Sequence, residues 1–151
     1  MIAVGSHHVL KSALVILAAV CALVGTNAPV QAAETPEHCI DIIGQPGSPL
    51  TVRGHLYTIY QGVTVVNHEQ TYASLDSKLS GAITKLTARK YLDAEKKLSD
   101  FIYQVSYISD PNKTPKVKLG TDEASILLHG ADIGDDIGAE GARNCVRDLD
   151  R

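Results

Sequence analysis

Two apolar stripes at helical spacing constrain the fold of this 151-residue chain more than any other feature. In the segments 72–86 and 91–108, apolar side chains recur every three or four residues and charged side chains lie between them. This spacing places the apolar residues on one face of an α-helix. Because only a short break near Ala88 and Arg89 separates the segments, each helix can bury its stripe against the other. The pattern predicts an antiparallel helical hairpin over about 73–88 and 91–108.

A third amphipathic helix is predicted at about 121–137. Thr121 is a suitable N-cap, and Asp122 and Glu123 fall in the first turn, where acidic side chains interact favourably with the helix dipole. The proline-bearing connector 110–115 separates this helix from the hairpin, since proline cannot continue a helix. The predicted fold is therefore mainly α, a small helical bundle built on the hairpin.

Three glycines at four-residue intervals weaken the third helix: Gly130, Gly134 and Gly138. Each costs about 1 kcal/mol relative to alanine inside a helix. Their spacing places them on one side of the predicted helix, where Gly130 and Gly134 would offer a flat strip to a closely packed partner. The alternatives are close packing inside the same domain or a frayed helix end. They are favoured, because the GxxxG pattern is mainly a membrane signal.

The residues before the hairpin form a less defined pattern. Residues 33–49 read as a polar leader, and the glycines, prolines and serine of 44–49 are typical of turns. Residues 50–66 have apolar side chains at helical spacing, but also β-branched and aromatic residues that favour strands. The sequence leaves a helix or a short β or irregular segment open there. We predict a single domain over residues 50–151.

Residues 1–32 match the pattern of a secretory signal peptide. Lys11 precedes an apolar run of 12 residues that ends at Val24, and the small residue Ala32 suits the cleavage position. A membrane-spanning helix needs about 20 apolar residues, so a permanent anchor is the weaker interpretation. We therefore predict an exported protein, secreted or periplasmic after cleavage near Ala32, with no integral membrane segment in the mature chain.

Cleavage would leave two cysteines, Cys39 and Cys145, because Cys21 departs with the signal peptide. Two cysteines in an oxidising compartment most often pair. A disulfide that closes a loop of about 100 residues stabilises a fold by roughly 4–5 kcal/mol in the chain-entropy model. The alternative is two free thiols, one of them catalytic or bound to a metal.

Composition and motifs argue against several classes of function. After cleavage the chain keeps 13 of its 14 Lys and Arg and all 17 Asp and Glu, so its formal net charge is −4. This charge disfavours a nucleic-acid partner, because phosphate recognition relies on basic patches. The histidines lack metal-binding spacing, His38 beside Cys39 reads as accidental, and no nucleophile motif is present. The acids between Asp132 and Glu140 do not match a calcium loop. We predict no catalytic residue, metal ligand or cofactor.

Six tyrosines outnumber the single phenylalanine, and tryptophan is missing. Tyr72 and Tyr91 fall at the edge of the predicted core. Tyr103 and Tyr107 are four residues apart and off the main stripe, so they share one helix face. An exposed pair of this kind could contact a sugar ring or a protein partner. The alternative is that both rings pack against the segment around Leu56.

Three motifs of helix-packing residues lie between Ser74 and Ile137: SLxxKLxxA from Ser74, AxxxLxxFIxxV from Ala94 and AxxLLxxA from Ala124. Together they resemble FIMAH domains over about 65 residues. The resemblance implies a small helical module of secreted or surface-attached bacterial proteins, often appended to enzymes. It implies no catalytic residues.

These patterns support one main functional hypothesis. It is an exported, non-catalytic module of the bacterial cell envelope or extracellular space that binds a protein or a glycan through Tyr103 and Tyr107 or the glycine strip. A second hypothesis is a small secreted hydrolase with a site built from scattered acids and histidines. A third is an exported inhibitor or effector held rigid by its disulfide.

Overall fold

The structure is a computed structural model, and it describes residues 34–62, 68–115, 118–131 and 138–151. The predicted mainly α fold is confirmed. The predicted signal peptide lies outside the described residues, as does Gly134. The described ranges hold six helices and no strand: α1 (Pro36–Ile43), α2 (Val52–Gly62), α3 (His68–Thr87), α4 (Tyr91–Ser109), α5 (Thr121–His129) and α6 (Ala139–Asp148). None of these six has both the length and the apolar character needed to cross a bilayer.

Helices α3 and α4 form an antiparallel hairpin, as the two stripes predict. Next to the turn, the Lys85 ammonium lies 3.2 Å from the Asp93 carboxylate. At the far end, the Ser74 hydroxyl donates a hydrogen bond of 3.3 Å to the side-chain oxygen of Gln104. Residues late in α3 therefore meet residues early in α4, and the reverse. Arg89 adopts a positive φ of 55° in the tight connection between them.

Large apolar side chains of the hairpin fill the core. Leu79, Leu86, Leu98 and Phe101 are fully buried. Each such side chain contributes about 1.5–3 kcal/mol by leaving water. Helix α6 packs against α4 and α1, whereas α2 packs against α3 and α5. The other helices thus cover the apolar faces of α3 and α4 that are recognisable as stripes in the sequence.

The segment predicted as a polar leader contains helix α1, which packs into the domain, and the structure corrects that prediction. Thr35 caps the helix by accepting a hydrogen bond from the His38 amide, and Pro36 stands in the first turn, where a missing N–H leaves no hydrogen bond unmade. Cys39 and Ile43, four residues apart, are fully buried. Two buried side chains in a helix of 8 residues are too few to produce a recognisable helical periodicity in the sequence.

Helix α2 decides between the structures that the sequence left open for residues 50–66. The chain is helical from Val52 to Gly62, and residues 63–66 lie outside the described residues. The Arg53 guanidinium donates hydrogen bonds of 2.8 and 2.9 Å to the Asp76 carboxylate. This ion pair fastens α2 to α3.

The third helix ends earlier than predicted. Helix α5 stops at His129 because Gly130 adopts a positive φ of 92°, a conformation that glycine reaches without strain. Gly138 is the N-cap residue of α6, and a side chain there would collide with the backbone of Leu128 and His129. Gly130 and Gly138 therefore do not share a helix face. The close approach at Gly138 is packing within the domain.

Helix α6 is absent from the sequence predictions. It begins at Ala139, directly after Gly138, within the glycine-rich segment. Its buried residues are mostly small, and small side chains give a weak hydrophobic pattern. The buried set is Ala139, Gly141, Ala142, Cys145 and Val146.

The predicted disulfide between Cys39 and Cys145 is present. The sulfur atoms are 2.05 Å apart, the Cα atoms are 5.6 Å apart, and the sequence separation is 106 residues. Both cysteines are buried. The bond joins α1 to α6, so two short helices that bury few large side chains are connected covalently.

Candidate functional site

The outer face of α4 carries a row of five exposed residues, which we name the α4 stripe: Leu92, Lys96, Asp100, Tyr103 and Tyr107. Steps of three or four residues keep this row on one side of the helix. The core residues of α4 lie on the opposite side and are buried. The same periodicity that builds the core therefore places these five side chains in solvent.

Both tyrosines of the α4 stripe are accessible to solvent. Tyr103 is 73% exposed and Tyr107 is 43% exposed. Leu92, at the other end of the stripe, is 67% exposed. Because an α-helix rises about 1.5 Å per residue, the stripe is about 22 Å long. Such exposure is inconsistent with the alternative, in which both rings pack against the segment around Leu56.

Two opposite charges lie between the apolar ends of the α4 stripe. Lys96 and Asp100 are exposed, and neither forms an ion pair with another residue that the structure describes. Each can therefore form a charged hydrogen bond with an incoming partner. The lysine can also contact an aromatic ring through a cation–π interaction.

Neighbouring helices hold α4 firmly beneath the stripe. On one side are the contacts of the hairpin with α3. On the other, the Arg147 guanidinium of α6 donates hydrogen bonds of 3.0 and 2.8 Å to the Glu95 carboxylate. Because the core face of α4 is buried as well, a partner meets a backbone that does not have to rearrange.

A second aromatic feature lies between α2 and α3. The rings of Tyr60 and Tyr72 stack with their centroids 4.4 Å apart. Burial and the nearby Asp76 carboxylate raise the pKa of Tyr72, and the Arg53 guanidinium opposes the shift. The sequence placed Tyr72 at the core edge but gave no sign of Tyr60 as its partner. The two rings line a small, mainly apolar groove, partly open to solvent, together with Leu56, Ile59, Leu75, Ile108, Leu119 and Leu127.

Four acidic side chains lie against cations rather than against one another. Asp76, Asp93, Glu95 and Asp148 each have an oxygen within 3.2 Å of a lysine or arginine nitrogen. A carboxylate held in this way contributes a structural contact rather than a free acid or base. These four carboxylates therefore do not form the contacts with histidines that the secreted-hydrolase hypothesis requires.

Three histidines, His38, His55 and His129, lie in different parts of the fold. His129 lies on the surface, its Nδ1 3.4 Å from the Glu140 carboxylate. His55 is half-buried in α2, and this burial lowers its pKa below the ordinary value of 6.5. His38 belongs to a third environment at the start of α1.

One group in the described part of the chain has the residue types of a metal site. The ligand atoms of Glu34, His38 and Cys145 all lie within 4.8 Å of one another. Glu34 lies just before α1 and His38 lies in its first turn, whereas Cys145 comes from α6. From the sequence alone, the position of His38 beside Cys39 reads as accidental, because spacing along the chain does not reveal a neighbour more than 100 residues away. In this structure the Cys145 sulfur is bonded to Cys39.

The four predicted binding residues do not lie together in one site that the structure describes. Tyr103 and Tyr107 lie together on α4. Gly130 ends α5 through its positive φ and is half-buried. Gly134 lies outside the described residues.

Comparisons with known proteins give no match: no family model, no curated protein and no solved structure resembles the chain closely enough. The resemblance to FIMAH domains over residues 74–137 stays a prediction.

Proposed function

We propose that this protein is an exported, non-catalytic module of the bacterial cell envelope or extracellular space, and that its α4 stripe binds a partner protein. The observation that carries the proposal is the exposure of Tyr103 and Tyr107, at 73% and 43%, on one face of a firmly held helix. Tyrosine is enriched at the energetic centres of protein interfaces. Its ring buries a large apolar area while its hydroxyl keeps a hydrogen bond.

The shape and charge of the stripe favour a protein over a glycan. The stripe extends about 22 Å along a convex helix. A partner helix with apolar residues at its ends and opposite charges between them would match this row. A single sugar ring stacked on Tyr103 would leave Leu92 and Lys96 without contacts.

Export is supported by two independent features. Residues 1–32 have the charge and hydropathy order of a signal peptide. The bond between Cys39 and Cys145 is of the kind that persists in oxidising compartments.

The resemblance to FIMAH domains supports the non-catalytic part of the proposal. Its motif AxxxLxxFIxxV covers Ala94 to Val105; four of its five fixed positions are buried in α4, and the fifth, Ile102, is partly buried against the core. Lys96, Asp100 and Tyr103 fall at its free positions. A family that shares the packing face would thus leave each member its own binding face.

The test compares tyrosine variants on two helices. The mature protein is used to capture partners from an envelope extract of its native host, as wild type, as Tyr103→Ala/Tyr107→Ala and as Tyr57→Ala. Tyr57 is the matched control, because its ring in α2 is 40% exposed. We expect the wild type and Tyr57→Ala to retain the same protein, and the double variant to retain at least about tenfold less, since two hot-spot tyrosines contribute about 1 kcal/mol or more each.

Thermal unfolding by circular dichroism accompanies the capture and should show similar midpoints for the three proteins. Equal capture by all three would overturn the proposal. If the protein instead binds a glycan array and this binding depends on Tyr103, the partner is a glycan and not a protein. Degradation of a polymer in the extract by the wild type would favour the hydrolase hypothesis instead.

A further inference from the structure

The junction of α1 and α6 brings together three different metal-binding side chains. Glu34 and His38, four residues apart, lie beside Cys145 of α6 with their ligand atoms within 4.8 Å of one another. A carboxylate oxygen, an imidazole nitrogen and a thiolate sulfur are all ligands of Zn²⁺. Three protein ligands with a fourth position left to water is an arrangement that Zn²⁺ adopts in proteins.

We propose that Glu34, His38 and Cys145 form a Zn²⁺ site that the disulfide closes. In the oxidised protein the Cys145 sulfur is bonded to Cys39 and has no thiolate charge to offer a metal. Every chain is synthesised with both cysteines as thiols, so a reduced protein precedes the disulfide. In that protein Zn²⁺ displaces the thiol proton of Cys145 and gains its third ligand.

Two of the three separations between the ligand atoms already match a tetrahedral zinc site, and all three lie within 4.8 Å. Zn–S bonds of about 2.3 Å and Zn–N and Zn–O bonds of about 2.0–2.2 Å put neighbouring ligands of a tetrahedral site roughly 3.3–3.8 Å apart. His38 Nε2 lies 3.5 Å from Glu34 Oε2, and Cys145 Sγ lies 3.3 Å from the same oxygen. The side chains of His38 and Glu34 are 59% and 37% exposed, so an ion can enter from solvent.

Zinc and the disulfide exclude each other. When the Cys145 thiolate and the Cys39 thiol form their S–S bond, they lose two electrons and the Cys39 proton, and the metal is released. A protein disulfide acting as oxidant accepts the two electrons and becomes a dithiol, taking one proton from Cys39 and one from solvent. The site would therefore connect α1 to α6 through zinc before the covalent bond does so.

Two cysteine variants separate this proposal from loss of the disulfide itself. Cys39→Ala and Cys145→Ala both remove the bond, but only Cys39→Ala keeps the sulfur that lies beside Glu34 and His38. By isothermal titration calorimetry we expect Cys39→Ala to bind one Zn²⁺ at least about tenfold more tightly than Cys145→Ala or the oxidised wild type, because only Cys39→Ala retains a Cys145 thiolate that can bind the metal. Co²⁺ should give thiolate charge-transfer absorption in Cys39→Ala alone.

Histidine variants supply the matched control. In the Cys39→Ala protein, His38→Ala should weaken zinc binding at least about tenfold, and His129→Ala should change it less than about twofold. His129 forms a similar exposed pair with Glu140, at 3.4 Å, but belongs to no group of three ligands in the described residues.

Equal zinc affinity in the two cysteine variants, or an unchanged affinity after His38→Ala, would overturn the proposal. If Cys39→Ala is unfolded without metal, the readout becomes the helical circular dichroism signal, because zinc-binding energy is then folding energy. A zinc-dependent gain of helix in Cys39→Ala that Cys145→Ala lacks supports the site. The absence of that gain counts against it.

Discussion

Two regions of this domain are held together in different ways. The α3–α4 hairpin buries large side chains, among them Leu79, Leu98 and Phe101. The junction of α1 and α6 buries mainly small ones and is closed by a disulfide. The hairpin is thus stabilised by the removal of apolar area from water, whereas the junction depends on a covalent restriction of the unfolded chain. The two regions should respond differently to the same kinds of substitution.

Removing the disulfide should have the largest effect. Cys145→Ala is expected to lower the free energy of unfolding by about 4–5 kcal/mol, because the bond closes a loop with a sequence separation of 106 residues. Denaturant unfolding of the wild type and the variant measures the difference. A loss below about 1 kcal/mol would show that the packing of small residues holds the junction by itself.

Truncating a hairpin side chain should have the next largest effect. Leu79→Ala is expected to lower the free energy of unfolding by about 3 kcal/mol, since the side chain is fully buried and leaves a cavity. Leu92→Ala is the control, because Leu92 is 67% exposed and its loss should change stability by less than about 0.5 kcal/mol. Similar losses for both leucines would contradict the assignment of the core face.

Enlarging a side chain should disturb the junction instead. Ala142→Leu is expected to cost about 1–3 kcal/mol, because the residue is fully buried on α6 and the added atoms have no space. Asn144→Leu on the exposed side of the same helix is the matched control and should be nearly neutral. If Ala142→Leu proved neutral as well, the junction would be loosely packed.

The smallest expected effect is a pH dependence in α2, outside both regions. Burial lowers the pKa of His55, so the unfolded chain takes up a proton at a higher pH than the folded one. The associated stability is present above pH 6.5 and is lost as the pH falls from there through the folded pKa. His55→Gln should reduce the difference in thermal midpoint between neutral and mildly acidic buffers. If the difference in thermal midpoint is unchanged in His55→Gln, groups other than His55 cause the pH dependence.

The same contrast between large and small side chains explains what the sequence could predict. The hairpin stripes contain large apolar residues over many turns, and a 3.6-residue period is clear at that length. Helix α1 is 8 residues long, and the buried face of α6 is mostly alanine and glycine, so neither gives a strong signal. The disulfide was predictable because only two cysteines follow the signal-peptide pattern.

The candidate sites divide in a similar way. The shared face of Tyr103 and Tyr107 follows from a spacing of four residues within one helix. The stacking of Tyr60 on Tyr72 joins two helices, and the approach of Cys145 to Glu34 joins residues 111 positions apart in the sequence. Proximity of that kind depends on tertiary packing, so residue spacing alone does not reveal it.

The bond between Cys39 and Cys145 also determines how the domain would respond to a pulling force. Tension applied to the chain before Cys39 and after Cys145 passes through the S–S bond, whose Cα atoms are 5.6 Å apart. Helices α2, α3, α4 and α5 lie wholly within the closed loop and would carry none of that load. In the oxidised state the segment between the two cysteines would thus not extend under tension, and after reduction the same tension would reach the core.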